Sequence, residues 1–454
     1  MRIKNVDMVH GKLFRSLIVY SIPILFMGLV QKLFNAVDIV VLRYFADTNA
    51  VASVGATSSV IHLLVDTFFG ISVGTRVVLS RQLGAQKEDK AKKTVSTSIY
   101  TALLFGTVTA IVGFLFAPAF LRLTNCPAEC VEGALLYMRI YLLASPAILL
   151  YNYGSAILSV SGDTQRPLYY MLISGILNVS LNVILCFVLE EKVAAVAIAT
   201  AVSQLVGAVL VTVRLFRLQG ACRVSLRTLR WSGAAFAALM KNGFPVALAH
   251  ALYPFSNLQI QTQVNSFGAA TIAGFAAAAN LEGILSTIVS APMVSAMTTF
   301  MGQNLGAKQP KRVEKTIWYC LIVSVGAGLV LSVLLMVFSR PLVSLFAPEE
   351  AAIAAAQTRM KYTTLLHFIT FAGSCFSRAI QSFGYPTFST VNSVVSVLVF
   401  RVIWTELVFV RCPTFEVLCQ CFPVSWLLSC LANVAFFLYL YHGKFKKGTL
   451  KKLL

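Results

Sequence analysis

The sequence predicts an all-α polytopic membrane protein, with twelve transmembrane helices in two six-helix bundles related by a pseudo-two-fold axis normal to the membrane. Three observations predict it: an apolar composition, a series of long apolar stretches, and an internal repeat. Of 454 residues 58% are hydrophobic and 12% charged, about half the charged fraction of an ordinary globular chain. With 32 phenylalanines and a mean hydropathy of +0.79, most side chains have lipid rather than water as their solvent.

A helix needs about 20 residues to cross about 30 Å of hydrocarbon, because its backbone polar groups must bond within the segment. Apolar spans that meet this length fall at 16–37, 50–79, 95–118, 134–159, 168–189, 194–213, 235–259, 269–299, 316–338, 357–380, 388–410 and 422–442. The start, Met1-Arg2-Ile3-Lys4, has no short apolar region followed by a cleavage site, so the first span reads as a retained helix. The basic residues gather in alternate gaps. Lys87, Lys90, Lys92 and Lys93, the run Arg214 to Arg230, Lys308 to Lys315 and the tail Lys444 to Lys452 fall on one side, against Arg43, Arg122, Lys192, Arg340 and Arg411 on the other. That asymmetry places both termini in the cytoplasm of a bacterial inner membrane. The same placement, beside headgroups of membrane lipids, argues against nucleic acid as the reason for the net charge of +20.

The repeat organises the chain. Gly84-Ala85-Gln86-Lys87 returns as Gly306-Ala307-Lys308-Gln309, and Lys93-Thr94 as Lys315-Thr316, both 222 residues on. Ser21-Ile22-Pro23 answers Gly243-Phe244-Pro245, and Gly162 answers Gly384, at that same offset. The predicted division is an amino-terminal lobe over 1–213, a basic cytoplasmic linker over 214–234 and a carboxy-terminal lobe over 235–454. Six crossings per copy leave both copies in one orientation, with a substrate route between them. No GxxxxGK[ST] sequence is present, so an ion gradient is the expected energy source. The five histidines have no zinc-site spacing and no nucleophile stands beside a base, so an enzyme is not expected. Ten cysteines form no metal pattern, and those near outer gaps, Cys126, Cys130, Cys412, Cys419 and Cys421, leave a disulfide open.

An ionisable side chain in hydrocarbon is costly unless it faces protein or water. Asp38, in Ala36-Val37-Asp38-Ile39, is the sharpest candidate for cation coupling: it can hold and release a proton, or in charged form help bind sodium. The competing reading is a carboxylate that merely places the first helix at the outer interface. Asn178 and Asn182, one turn apart, share a helix face from which amides reach Asp38, an ion or water; helix–helix adhesion explains them equally. Asp66 and Glu282 hold similar places in the two halves, with structural pairing across the lobes the simpler reading. Arg401 and Glu406 are five apart, a poor spacing for one face, so their partners lie elsewhere. Gly84 and Gly306 are expected to end an inner helix through backbone angles denied to larger residues. Pro23 and Pro245 are expected to begin or kink the first helix of each half, where a kink serves gating.

In their order, Pro23, Gln31, Asp38, Val51-Ala52-Ser53-Val54-Gly55, Gly70-Ile71-Ser72-Val73-Gly74, Ser161-Gly162-Asp163-Thr164-Gln165-Arg166-Pro167, Asn178 and Gly302-Gln303-Asn304-Leu305-Gly306-Ala307 resemble the multidrug and toxic compound extrusion family, the MATE transporters, over nearly the whole chain. The resemblance implies efflux of small organic compounds, lipophilic or cationic, by alternating-access exchange with H+ or Na+, and no cofactor beyond that ion. It is closer to the DinF-like bacterial members, whose first-helix aspartate and fifth-helix polar residues carry over to Asp38, Asn178 and Asn182. Many relatives have an aspartate where Asn182 stands; an amide does not titrate, which leaves Asp38 to do so, with Na+ at Asp38 as the alternative. The seventh-helix glutamate of NorM-like members is missing from Ala251-Leu252-Tyr253-Pro254-Phe255. Phe34, Tyr153, Tyr253, Phe255 and Gln263 are the expected lining of the substrate cavity. The same architecture also suits a flippase or exporter of an amphiphilic lipid-linked precursor, which a cationic groove open to the bilayer would favour.

Overall fold

A computed structural model describes residues 6–445 apart from 47, 125, 226 and 228, with the backbone alone described at 35, 36, 39, 48, 59, 62 and 444 within the helices. Lys446, Lys447, Lys451 and Lys452, like Arg2 and Lys4, lie outside the described residues. The described chain is all-α, and each of the twelve apolar spans falls on helix. Among the described residues nine helices are long and apolar enough to cross a membrane, or ten if a pair bent by 45°, Ala128–Leu143 and Ser145–Val160, forms one span.

The chain divides into two compact units. The first comprises residues up to Gly11 and Ile22–Ala251. It contains most of α1 (Leu13–Phe45), then α2 (Thr48–Gly84), α3 (Glu88–Leu123), α4 (Val131–Leu143), α5 (Ser145–Val160), α6 (Gln165–Val188), α7 (Lys192–Phe216) and the first half of α8 (Gly233–Val264). α5 is its centre, packed on α2, α3 and α7, and nearly every side chain from Ala147 to Val160 is buried. α2 and α8 meet through glycine. A Cβ on Gly70 would stand 2.6 Å from the Cα of Ala247, one on Gly74 2.4 Å from the Leu239 carbonyl, and one on Gly243 2.6 Å from the Ile71 carbonyl. Small residues one turn apart on each helix bring the two backbones together, which is how helices adhere where no hydrophobic force separates lipid from leucine.

The second unit comprises Lys12–Ser21 and Leu252–Leu454. Its helices are α9 (Ala269–Gly306), α10 (Pro310–Val337), α11 (Ser339–Ser344), α12 (Glu350–Thr363), α13 (His367–Ser382), α14 (Pro386–Ser393), α15 (Phe400–Ile403) and α16 (Phe415–Leu440). π-helical turns at Val394–Val399 and Trp404–Phe409 flank α15. α9 packs against α10, α12 and α13, and α16 against α12 and α13. The start of α1 is held here by Tyr20, whose hydroxyl lies 2.9 Å from Thr299 Oγ1 and whose ring meets Phe300 edge-on. Outward faces of both units are apolar, with Phe187 73% and Val337 67% exposed, as lipid contact requires.

The prolines sit where the chain changes unit. Pro23 lies inside α1, directly after the change at Ser21, and Pro245 lies inside α8, ahead of the change at Ala251. A helix-start role is therefore set aside: each proline removes an amide donor from the helix interior. The repeat reappears as backbone shape. Gln86 and Lys308 take positive φ of 54° and 57°, Gly162 and Gly384 of 92° and 99°, each pair 222 residues apart. This corrects the role expected of Gly84 and Gly306. Both are the last residues of their helices, and the left-handed residue follows two positions later. The six-to-one bonds that close these turns, Lys87 N to Gln82 O and Gln309 N to Asn304 O at 2.9 Å each, demand left-handed backbone at the residue before the donor.

Candidate functional site

Asp38 is buried on α1 within the first unit, and three side chains from α6 and α7 close around it. Asn178 and Asn182 reach it from α6 because four residues return a helix to the same face. Asn182 Nδ2 donates to Asp38 Oδ1 at 2.6 Å and to Asn178 Oδ1 at 3.3 Å. Thr200 of α7 donates its hydroxyl to Asp38 Oδ2 at 3.1 Å and accepts from Asn178 Nδ2 at 3.1 Å. All four side chains are at most 8% exposed. Among the described residues no basic group lies within salt-bridge distance of the carboxylate.

The donors fix what the site can do. Among the described residues each carboxylate oxygen receives one donor, which suits the ionised form, while Asn182 Oδ1 is buried and meets no hydrogen-bond partner among them. A proton on Asp38 needs an acceptor, and that orphan oxygen is one. The same set offers five oxygens, from Asp38, Asn178, Asn182 and Thr200, to a hard cation such as Na+, which prefers oxygen ligands and carries no demand for nitrogen or sulfur. Thr200 escaped the sequence reading. In Ala199-Thr200-Ala201 it looks like any threonine that returns its hydroxyl to its own helix, and only the i, i+4 amide pair on α6 signals a polar seam.

The other sequence candidates disperse. Phe34 packs its ring on α6, where a Cβ on Gly175 would overlap it. Tyr153 is fully buried among Ile71, Ala102, Leu149 and Ala247, its hydroxyl 3.5 Å from the Phe68 carbonyl. Tyr253 and Phe255 are 50% and 53% exposed, and Gln263 is half-buried on the same helix. Glu282 has its partner in its own unit. Arg359 Nη2 donates to Glu282 Oε2 at 2.8 Å, and Thr363 donates to the other carboxylate oxygen. All ten cysteines are free thiols. Among the described residues no three His, Cys, Asp or Glu side chains gather as a metal site.

The MatE family model matches residues 23–184 and 245–405, one match in each copy of the repeat. The chain belongs to the MatE family. Among curated relatives, the probable multidrug resistance protein YoeA of Bacillus subtilis is 24% identical over 394 residues, 84% of each chain. The FAD transporter of Shewanella oneidensis is 25% identical over 306 residues, 66% of this chain and 68% of its own. Among solved structures, a MOP superfamily transporter from Pyrococcus furiosus, described as having a binding pocket of reversed polarity, superposes with a TM-score of 0.88 at 22% identity over 99% of both chains. Membership makes this MatE protein a multi-pass membrane transporter.

Proposed function

We propose that this MatE protein exports small organic compounds, lipophilic or cationic, by alternating-access antiport with H+ or Na+, and that Asp38 is the group on which the ion acts. One observation carries the reading: a buried carboxylate, with no basic side chain in salt-bridge distance and an unsatisfied amide oxygen beside it among the described residues, is held by Asn182 and Thr200. Binding of the ion neutralises the charge, and the four-residue network relaxes around a neutral or bridged Asp38; release to the inside restores it. The pairing of a first-helix aspartate with α6 amides, together with the lack of a glutamate over 251–255, favours a DinF-like over a NorM-like member. The names of the relatives, a probable multidrug resistance protein and an FAD transporter, support a broad organic substrate.

The proposed architecture is twelve crossings in two six-helix lobes, 1–213 and 235–454, joined by the basic segment 214–234 and related by a pseudo-two-fold axis normal to the membrane. It is supported by backbone bends that recur at Gln86 and Lys308 and at Gly162 and Gly384. α8 and the pair α12–α13, too polar to join the nine apolar helices, complete the twelve. The positive-inside asymmetry supports a bacterial inner membrane with both termini cytoplasmic and the basic segments on lipid headgroups. Tyr253, Phe255 and Gln263 are the proposed lining, and Pro23 and Pro245 the proposed points of bending.

The experiment is transport by purified protein in proteoliposomes under imposed proton or sodium gradients. Asp38→Asn should abolish gradient-driven exchange, with the responsive gradient naming the ion. Unchanged exchange would remove Asp38 from the mechanism.

A further inference from the structure

Two arginines are buried in the second unit, and both lie against one aromatic ring. The guanidinium of Arg359 is 4.9 Å from the centroid of Phe422 and that of Arg401 is 4.5 Å from it. Arg359 is neutralised by Glu282 at 2.8 Å. Arg401 is not. It is 0% exposed, and among the described residues no carboxylate lies within 4.0 Å of it. Glu406, five residues on, is exposed. The contacts of Arg401 are to neutral oxygens and all are long: Nε to Ser425 Oγ at 3.4 Å, Nη1 to Ser256 Oγ at 3.3 Å and to Asn257 Oδ1 at 3.4 Å. Nη2 is buried and meets no partner among the described residues.

An uncompensated guanidinium within a membrane unit is costly, and its presence calls for a counter-charge. The surroundings say where one enters. Ser256 faces the core, while its neighbour Asn257 is exposed, one turn from the exposed Tyr253 on α8. Nη1 therefore lies directly beneath an exposed amide. The helix carrying Arg401 is widened on both sides by π-helical turns, and Ser256 also donates to the Val397 carbonyl in the first of them, at 3.2 Å. Such turns gather at functional sites because they displace side chains from the regular helical spacing.

We propose that Arg401 is the docking point for an anionic group, a carboxylate or a phosphate, on compounds that this protein transports. The group takes Nη2 and displaces the weak contacts to Ser256 and Asn257, and the apolar remainder of the compound lies outward along α8 beside Tyr253. This rests on the transport reading above, takes its lipophilic rather than its cationic branch, and adds a charge to it: amphiphiles that carry a negative group are preferred over their neutral or cationic counterparts.

The test is equilibrium binding by calorimetry to the full chain in phosphatidylcholine nanodiscs, with no gradient, so that its outcome is separate from that of the Asp38 transport experiment. The probes are 2-naphthoate, neutral 2-naphthamide and cationic 2-naphthylmethylammonium. The wild type should prefer naphthoate to naphthamide by about tenfold or more. Arg401→Gln should erase that preference while leaving naphthamide affinity in place, and Arg401→Lys should keep part of it. Should Arg401→Gln fail to fold, Ser425→Asp decides, because it sets a carboxylate beside Nε: naphthoate preference is lost while the thermal midpoint holds or rises. The proposal is overturned if wild type binds naphthoate no better than naphthamide, or if Ser425→Asp leaves the preference intact. It is equally overturned if phosphatidylglycerol in the disc displaces naphthoate, since a lipid phosphate then fills the site.

Discussion

Thr200 donates its hydroxyl to Asp38 Oδ2 and takes the amide of Asn178 in return, so one hydroxyl orients both the carboxylate and the amide pair. A hydrogen bond to a charged group contributes about 1.5–3 kcal/mol. Thr200→Val keeps the shape and removes both bonds, and should lower gradient-driven exchange by about tenfold or more. Thr200→Ser should retain most of it. Initial rates in proteoliposomes measure this, and equal rates for the valine and serine variants would deny the hydroxyl its role.

The Glu282–Arg359 pair predicts an asymmetric pattern of stability. Removing one member of a buried pair leaves the other uncompensated, at a cost of about 3–5 kcal/mol. Glu282→Gln or Arg359→Met alone should therefore lower the thermal midpoint in detergent sharply, while the double variant recovers much of the loss. Simple additivity of the two losses would contradict the pairing.

Glycines on α2 should differ in what they tolerate. A methyl at Gly74 meets the Leu239 carbonyl at 2.4 Å, backbone that has nowhere to go, whereas at Gly55 nothing lies within 4 Å. Gly74→Ala should reduce the thermal midpoint and the yield of folded protein. Gly55→Ala should be neutral or slightly stabilising, since alanine is the better helix former by about 1 kcal/mol.

Thiol chemistry should separate Cys222 from Cys412. Burial pushes the Cys222 thiol up to about 12, so at pH 8 about one molecule in ten thousand carries the reactive thiolate. Cys412 is exposed. In folded protein a maleimide at pH 7.5, roughly the usual labelling condition, should modify Cys412 first and spare Cys222. Mass spectrometry of peptides reads the outcome, and early labelling of Cys222 would show its cover to be open.

Much of this was legible in the chain itself. Long apolar runs place the helices because lipid leaves a spanning backbone no other partner, and the α6 amides could be set beside Asp38 because a lone acid in such a run must find polar company. The rest needed three dimensions. Thr200 is hidden by its own commonness, and Arg359 lies 77 residues from Glu282, a distance at which no local spacing speaks. Tyr153 shows the reverse failure: an aromatic residue in an apolar helix reads alike whether it faces a cavity or, as here, the core. The turns after α2 and α9 misled for a subtler reason, since glycine marks the end of the helix while a side-chain-bearing residue takes the awkward angle.

That last feature bears on how the gene grew. Gln86 and Lys308 are different residues in the same left-handed corner, each carrying strain of about 1–2 kcal/mol that a glycine would relieve. A duplicated ancestor with such a corner hands its bend to both descendants, and each is then free to change the side chain while the path of the main chain stays inherited. Replacing both residues with glycine should leave the architecture intact and the protein harder to melt, a reserve of stability that both halves have left untouched since they parted.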